Sequence, residues 1–496
     1  MLDMPKYFEW FTYHEWTQKY GDVAHISVFG QPIIVLGSHA ASTDVLVRKA
    51  AISSDRPVFT MGGKMVGWDN AMPLLQYHDR RMKKMRRISG LLMGTRSSTH
   101  LWDVEEHLTR RLIKKIYNDM QVGDSEGRKL PDRIRWLAAA IILRITHGYA
   151  AADEDDPLVN IATEAMKTFG QSVEPGVWAV DFIPALRHLP SWFPFTNFQK
   201  ISREWSSHVD ALSQTPLDFV KKQMSVGTAP FSLARALLDQ AGPDMDPQEE
   251  FEIKWTTTSL YGAGADTTAA QIYFFFLLMI LHPEVQRRAQ SELDKVLCGE
   301  RLPSLRDRQD GVLPYVDVLV KELIRFSPVV PANTPHVMTE EAEYRGWRIP
   351  KGAIVIANLW GISRDPLMYP NPDIFRPERF LTKAQGGDCE TVEDIQFDPA
   401  KIIFGYGRRS CPGQILAELS VWSAVALCLA VFQIDGVKGE EPSPYDQEPG
   451  IITHPKAFKC RISVRSTQAQ ELLNSIPDHD VTAWMHPWPK KSTFNE

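Results

Sequence analysis

Ten residues at 404–413, FGYGRRSCPG, have the composition of a loop that could hold a cysteine sulfur as a metal ligand. Two glycines precede Cys411 and Gly413 follows it, and glycine lets backbone amides approach a sulfur closely because it has no Cβ and tolerates positive φ. Arg408 and Arg409 place positive charge beside the sulfur, and the helical pattern after Gly413 adds the dipole of a helix N-terminus. Both effects favour the thiolate, the form of cysteine that binds metals.

Two other interpretations of this loop stay open from the residues alone. A single cysteine after a glycine turn is commonly an inert, packed thiol. The two glycines of GYG also suggest a dinucleotide loop, but the third glycine of GxGxxG would fall at Ser410 and no βαβ pattern follows.

Composition excludes several classes of protein. The chain has 496 residues, of which 44% are hydrophobic, and its formal net charge of −6 does not invite nucleic acid. Five cysteines without a CxxC pair predict neither a disulfide framework nor a zinc site. The most apolar runs, ten residues at 272–281 and twelve at 421–432, are shorter than a membrane helix needs and are typical of core helices. Residues 1–20 lack the apolar stretch of a signal peptide.

The elements that must position the loop are mostly helices. Apolar residues recur at three- and four-residue spacing at 101–117, 133–146, 251–282, 283–298 and 314–326. Strand patterns surround turn residues at 25–36 and again at 343–358. Because an isolated hairpin is marginally stable, we expect these two pieces to share one sheet. The sequence predicts a mainly α fold with a small β-sheet, one large domain over 1–465 and a flexible tail over 466–496.

Four motifs, in chain order, resemble those of the cytochrome P450 superfamily. The loop at 404–413 matches the family's haem-binding pattern Phe-Gly-x-Gly-x-Arg-x-Cys-x-Gly at every fixed position. ELIR at 322–325 matches its Glu-x-x-Arg motif, PERF at 377–380 its PERF segment, and AGADTT at 263–268 its oxygen-activating helix. The likeness covers about residues 20–465 and implies the cytochrome P450 fold.

The resemblance implies a haem b cofactor whose iron takes Cys411 as its axial thiolate ligand. The other residues that it places around the haem are Phe404, Gly405, Arg409, His336, Arg86 and Gly264. Arg86, Arg409 and His336 would contact the haem propionates. The family pattern around the first of these is Trp-x-x-x-Arg, and Met82 stands where Trp is usual, although Met cannot donate a hydrogen bond.

Asp266 and Thr267 are the catalytic residues that the resemblance implies. We expect Gly264 to leave room beside the iron for oxygen, Thr267 to offer a hydroxyl that donates and accepts, and Asp266 to relay protons from solvent. The alternative is that Thr267 only bonds back to a carbonyl one turn earlier.

Glu322 and Arg325 lie three residues apart, so they share one face of a helix. In the family these two residues join the PERF arginine, here Arg379, in a buried ionic triad. The triad maintains the architecture on the haem side and performs no chemistry.

The implied function is that of a haem-thiolate monooxygenase that oxidises a hydrophobic small molecule with O2. The chain has no flavin or nicotinamide motif, so electrons would come from NADPH-cytochrome P450 reductase, with cytochrome b5 as a second donor. The opening residues resemble fungal secondary-metabolism members similar to O-methylsterigmatocystin oxidoreductase, which implies a terpenoid, polyketide or aromatic skeleton. A same-fold enzyme that uses peroxide or rearranges its substrate, and a non-catalytic haem-binding protein, stay open.

The basic run at 78–87 predicts either a docking face for the reductase or a solvated charged face, with Arg80, Lys83, Lys84 and Arg87 towards water. Microsomal members begin with an apolar anchor and a proline-rich hinge, and this sequence opens near where that hinge would end. We expect a monomer at the cytosolic surface of the endoplasmic reticulum membrane. Trp10, Phe11 and Trp16, of aromatic types that favour interfaces, would hold it there.

Overall fold

Helices make up 56% of the structure, a computed structural model that describes residues 5, 7–94, 98–124 and 126–477. The α-helices are α1 (Glu9–Tyr20), α2 (His39–Ser42), α3 (Arg80–Met93), α4 (Trp102–Gln121), α5 (Leu130–His147), α6 (Pro157–Ser172), α7 (Ala179–Phe182), α8 (Asn197–Ser225), α9 (Leu233–Ala241), α10 (Pro247–Leu281), α11 (Pro283–Leu297), α12 (Leu305–Gln309), α13 (Pro314–Phe326), α14 (Leu359–Ile362), α15 (Ala400–Ile403), α16 (Gln414–Val431) and α17 (Thr467–Ser475). The mainly α prediction is confirmed.

The main sheet joins the two predicted strand pieces only in part, because residues 354–357 pair with 33–36 whereas residues 342–349 form a separate two-stranded sheet. The strands are β1 (Val23–Val28), β2 (Gln31–Leu36), β3 (His336–Val337), β4 (Ala342–Tyr344), β5 (Trp347–Ile349), β6 (Ile354–Ala357), β7 (Phe432–Gly436) and β8 (Cys460–Val464). The sheet has the order β1-β2-β6-β3, in which β2 and β6 run parallel with Ile33 opposite Ile354. β4 pairs with β5, and β7 with β8, in two smaller sheets.

The longest helix, α10, crosses the core. Asp246 caps it by accepting a hydrogen bond from the backbone N–H of Gln248, and Pro247 occupies the first turn, where a missing N–H is harmless. Pro283 separates α10 from α11. Both α10 and α16 are long and apolar enough to cross a membrane by composition, but 72% of the most apolar window of each is buried within the protein.

The prediction of a flexible tail from residue 466 is wrong for its first residues, because Thr467–Ser475 form α17. Ser466 caps α17 by accepting a hydrogen bond from the N–H of Ala469. Leu473 is fully buried, and the helix packs against α16 and α4. Apolar residues at helical spacing therefore anchor this segment, while residues 478–496 lie outside the described residues.

Candidate active site

The predicted loop and α10 both line an internal cavity of about 300 Å³. The cavity-lining residues that the sequence singled out are Arg86, Gly264, Thr267, Phe404, Gly405, Arg409 and Cys411. The apolar wall includes Trp68, Met72, Ile142, Phe169, Leu260, Val329 and Ile452. His336 and Asp266 are not among the lining residues.

Glycines shape the loop that presents Cys411. Gly405 and Gly407 have φ of 78° and 60°, the left-handed region in which side chains are strained. A Cβ on Gly407 would lie 2.1 Å from the carbonyl oxygen of Leu46, so only glycine fits this close approach. The backbone N–H of Cys411 donates to the carbonyl oxygen of Phe404 at 2.7 Å, which closes the loop.

The loop by itself does not favour a thiolate, in contrast to the prediction. Burial raises the pKa of the Cys411 thiol, while the backbone N–H of Gly413 and the positive charge of Arg86 lower it to a smaller extent. The net shift is upward. A bound metal cation would supply the charge that deprotonates this thiol.

The two arginines of the loop, Arg408 and Arg409, make their contacts away from the Cys411 sulfur. Arg409 donates to the carbonyl oxygens of Ser54, at 2.7 Å, and Leu75, at 2.6 Å. Its Nη1 also donates to the carbonyl oxygen of Met72 at 3.3 Å and lies 3.3 Å from the sulfur of Met82. The Arg408 guanidinium lies 5.3 Å from the ring centroid of Tyr77. Arg86 on α3, rather than either of these arginines, is therefore the charge that acts on the Cys411 sulfur.

Three arginines that line the cavity form no ion pair with a carboxylate among the described residues, although the charge of Asp55 acts on one of them, Arg409. Arg56 is 5% exposed, and its guanidinium donates only to carbonyl oxygens, those of Pro73, Thr334 and Pro335. Burial and the charges of Arg409 and Arg86 hold its pKa well below the usual value. Neither Arg56, Arg86 nor Arg409 forms an ion pair with a carboxylate in the described part of the chain. Because unpaired buried charges are costly, this cluster fits an anionic group such as the haem propionates.

The sequence motifs indicate His336 as a haem contact and give no signal for Arg56. The imidazole of His336 is buried, with Nδ1 2.7 Å from the carbonyl oxygen of Ser53, and Nε2 has no hydrogen-bond partner in the part of the chain that the structure describes. Burial and the charge of Arg56 hold its pKa well below the usual value, so the ring is neutral at pH 7. The role of His336 as a haem contact stays a prediction, whereas Arg56 presents its charge to the cavity.

Thr267 makes the back-bond that the sequence left as an alternative. Its hydroxyl donates to the carbonyl oxygen of Ala263 at 2.7 Å. The oxygen keeps lone pairs with which it can accept a hydrogen bond, and Thr267 lines the cavity. The back-bond therefore does not prevent the hydroxyl from contacting a ligand there.

Gly264 lines the cavity, so its role of leaving room beside the iron stays a prediction, and its missing side chain also serves helix packing. A Cβ on Gly264 would lie 3.1 Å from Cγ1 of Ile142, so the missing side chain allows α10 to approach α5. The neighbouring Ala263, about 100° further round the helix, is exposed to the cavity. An alanine therefore also contributes a small side chain at this wall.

Asp266 has a partner that sequence analysis did not name. Its Oδ1 lies 3.1 Å from Nε2 of His454, and the two side chains are 21% and 17% exposed. The sequence gives no signal for this pair, because 188 positions separate the two residues and a single histidine in a loop is usually solvated.

The buried triad has the geometry that the resemblance implies. The Glu322 carboxylate accepts hydrogen bonds from Nε of Arg325 at 2.7 Å and from Nε of Arg379 at 3.1 Å, and all three side chains are fully buried. The carbonyl oxygen of Ser363 accepts from Arg325, and that of Pro370 from Arg379. The triad thus ties α13 to the PERF segment that follows it.

Known proteins match almost the whole chain. The sequence model of the family described as Cytochrome P450 matches residues 8–462. Cytochrome P450 monooxygenase 208 of Postia placenta is 39% identical over 484 residues, which cover 96% of this chain and 90% of that protein. Cytochrome P450 monooxygenase claR of Ampulloclitocybe clavipes is 38% identical over 96% of this chain and 86% of its own length. Cytochrome P450 monooxygenase ppsD of Aspergillus oryzae is 34% identical over 96% and 88%.

Proposed function

The chain belongs to the cytochrome P450 family and is a monooxygenase of that class, and on this basis we propose that it oxidises a neutral, hydrophobic metabolite of fungal secondary metabolism, with a terpenoid, polyketide or aromatic skeleton. The observation that carries the proposal is the cavity that Cys411 lines, because its wall away from the three arginines is mostly apolar. Two of the polar residues in the wall, Thr258 and Ser259, donate hydrogen bonds from their hydroxyl groups to carbonyl oxygens of their own helix. A ligand without charge therefore suits this wall.

The family uses haem iron, and the residues present fit it. Cys411 would be the axial ligand, and Arg56, Arg86 and Arg409 would neutralise the two propionates. When bound, haem supplies the activation of O2 and the transfer of one oxygen atom to the substrate. The protein supplies the ligand, the counter-charges and the apolar wall.

Proton supply falls to two residues of α10. Thr267 lies in the cavity wall, where its hydroxyl accepts a hydrogen bond and relays a proton. The back-bond to Ala263 orients this hydroxyl. Asp266, the next residue towards the N-terminus, is partly accessible and provides the acidic group between solvent and Thr267. Both roles follow from residue type and position.

Electrons come from a reductase that docks on the Cys411 side. Arg86 fixes α3 against the loop, since its Nη2 donates to the carbonyl oxygen of Ser410 at 2.9 Å. Lys83 and Arg87 on the same helix are exposed and suit an acidic partner such as NADPH-cytochrome P450 reductase. Lys84, which the sequence also placed towards water, pairs with Glu252 of α10 at 2.8 Å and is less available, whereas Arg80, 3.4 Å from the same carboxylate, is exposed.

The membrane surface differs from the one that the sequence suggests. Trp10 is fully buried, and the ring of Phe11 packs 4.7 Å from that of Trp360. Trp16 is half-buried with its ring 5.6 Å from that of Tyr13, so these three residues do not favour an interface. A set of exposed aromatic side chains lies instead at the β1–β2 turn and between α7 and α8: Phe29, Phe182, Trp192, Phe193 and Phe195. This aromatic surface would rest on the endoplasmic reticulum membrane, where the family is generally found.

The test is a binding screen followed by isotope incorporation. Purified ferric holoprotein is titrated with fungal terpenoids, polyketides and aromatic metabolites, and changes in the haem spectrum identify ligands. Each ligand is then incubated with reductase, NADPH and ¹⁸O₂, and we expect products that gain one ¹⁸O atom. Products formed with hydrogen peroxide but not with reductase would favour the peroxide-using alternative. Binding without any product would favour the non-catalytic one.

A further inference from the structure

A short hairpin at 446–456 reaches from the protein surface to the cavity. The N–H of Lys456 donates to the carbonyl oxygen of Asp446, and the N–H of Glu448 to that of His454, both at 2.8 Å. Ile451 and Ile452 at its tip line the cavity. The same short segment therefore contributes both to the cavity wall and to the partner of Asp266.

The backbone fixes where the His454 side chain can lie. The N–H of Thr453, the preceding residue, donates to the carbonyl oxygen of Val329 at 2.9 Å, and the carbonyl of His454 itself is held by Glu448. Nε2 then lies 3.1 Å from Oδ1 of Asp266. Pairs of this kind at the exposed surface contribute little to stability. The Asp266–His454 pair, in contrast, is about four-fifths buried, and its two residues lie on a helix and on a hydrogen-bonded hairpin.

We propose that His454 is the positioning residue that sets the orientation of the Asp266 carboxylate and, through it, proton delivery at Thr267. The inference rests on the proposed proton-relay role of Asp266. Asp266 and Thr267 are adjacent on α10, so their side chains diverge by about 100°, and Asp266 does not line the cavity. Because the Asp266 carboxylate lies outside the cavity wall, it must be held in one orientation to deliver protons to Thr267. The contact with His454 holds it in that orientation.

The test measures oxygen stoichiometry and needs no substrate. Holoenzyme with excess reductase and NADPH reduces O2 either to hydrogen peroxide, with two electrons and two protons, or to two waters, with four of each. One or two NADPH are consumed per O2 respectively. We expect His454→Ala to slow O2 consumption several-fold and raise its solvent isotope effect, and we expect the same of Asp266→Asn. His454→Gln, which can still donate a hydrogen bond from a similar position, should restore most of the rate.

A structural measurement and a matched control complete the test. Crystal structures should show the Asp266 carboxylate turned away in His454→Ala and retained in His454→Gln. Thr453→Val removes a buried hydroxyl of the same hairpin that has no hydrogen-bond partner among the residues described, and this variant should behave as the wild type. A His454→Ala enzyme with wild-type kinetics, or a slowed one with Asp266 still in place, would overturn the inference. An unaffected Asp266→Asn enzyme would instead overturn the proposed role of Asp266.

Discussion

The guanidinium of Arg86 donates a hydrogen bond to the carbonyl oxygen of Ser410, one residue before Cys411, at 2.9 Å. One turn earlier on α3, the sulfur of Met82 lies 3.3 Å from Nη1 of Arg409. α3 thus contacts the loop twice, and Met82, at the position where the family usually has tryptophan, contributes a contact to an arginine rather than a donated hydrogen bond.

The first prediction is that Cys411 alone among the cysteines determines the haem spectrum. Cys411 lines the cavity, whereas Cys389, Cys428 and Cys460 are buried elsewhere and Cys298 lies on the surface. Cys411→Ser should abolish the carbon monoxide band typical of thiolate ligation, and the four other Cys→Ser variants should keep it. The measurement is the ferrous–carbon monoxide spectrum of folded variants. Retention of the band in Cys411→Ser would refute the assignment.

The second prediction concerns Arg56. If the arginine cluster neutralises the propionates, Arg56→Ala removes a charge-assisted hydrogen bond of about 1.5–3 kcal/mol, so haem should dissociate roughly 10-fold to 100-fold faster. Haem transfer to an excess of apomyoglobin measures this rate. Arg306→Ala on the exposed face of α12 is the control and should not change it. Equal rates for the two variants would remove Arg56 from the haem site.

How far the sequence predicts this site depends on whether the signal is local. The loop around Cys411 is a contiguous motif, and its first two glycines, Gly405 and Gly407, have the positive φ that its composition indicates. Arg56 belongs to the arginine cluster only because folding brings it close to Arg409. In the sequence it is a lone arginine in a loop, and such a residue is ordinarily solvated. The direction of Gly264 depends on helix phase against α5, which no spacing within one helix reveals.

The third prediction tests the buried triad. Glu322→Ala leaves the charges of Arg325 and Arg379 buried without their carboxylate, which should lower the free energy of unfolding by about 3–5 kcal/mol. Urea denaturation of the holoenzyme measures the change. Asp310→Ala, which breaks an exposed pair with Arg306, should change stability by less than about 0.5 kcal/mol. Similar losses in the two variants would contradict a structural role for the triad.

The fourth prediction separates the two roles of Thr267. Thr267→Ala should raise the hydrogen peroxide released per NADPH several-fold while haem content stays near normal, because the cavity loses a hydroxyl that can accept and donate. Thr267→Val keeps the shape and should match the alanine variant, and Thr267→Ser keeps the hydroxyl and should match the wild type. If all three released peroxide as the wild type does, the back-bond to Ala263 would be the whole role of Thr267.

A buried carboxyl far from this chemistry makes stability depend on pH. Glu105 on α4 is fully buried. Its Oε1 accepts a hydrogen bond from the hydroxyl of Ser420 at 2.8 Å, and Oε2 has no hydrogen-bond partner within the described residues. Burial raises the pKa of Glu105 from 4.5 to about 8. In the folded protein this carboxyl therefore stays protonated through neutral pH.

The fifth prediction follows from the sign of that shift. Below about pH 4.5 the carboxyl is protonated in both states, and between pH 4.5 and 8 only the unfolded chain ionises, so rising pH favours unfolding. The penalty levels off above pH 8 at about 5 kcal/mol, since each pKa unit is worth about 1.4 kcal/mol. Glu105→Gln cannot ionise, although its buried amide N–H groups lack partners and cost about 1–3 kcal/mol at every pH. The variant should therefore melt below the wild type at pH 5 and above it at pH 8, with Asp310→Asn as a surface control that shows no such crossing. Parallel melting curves for Glu105→Gln and wild type across this range would mean that Glu105 is already ionised in the folded protein.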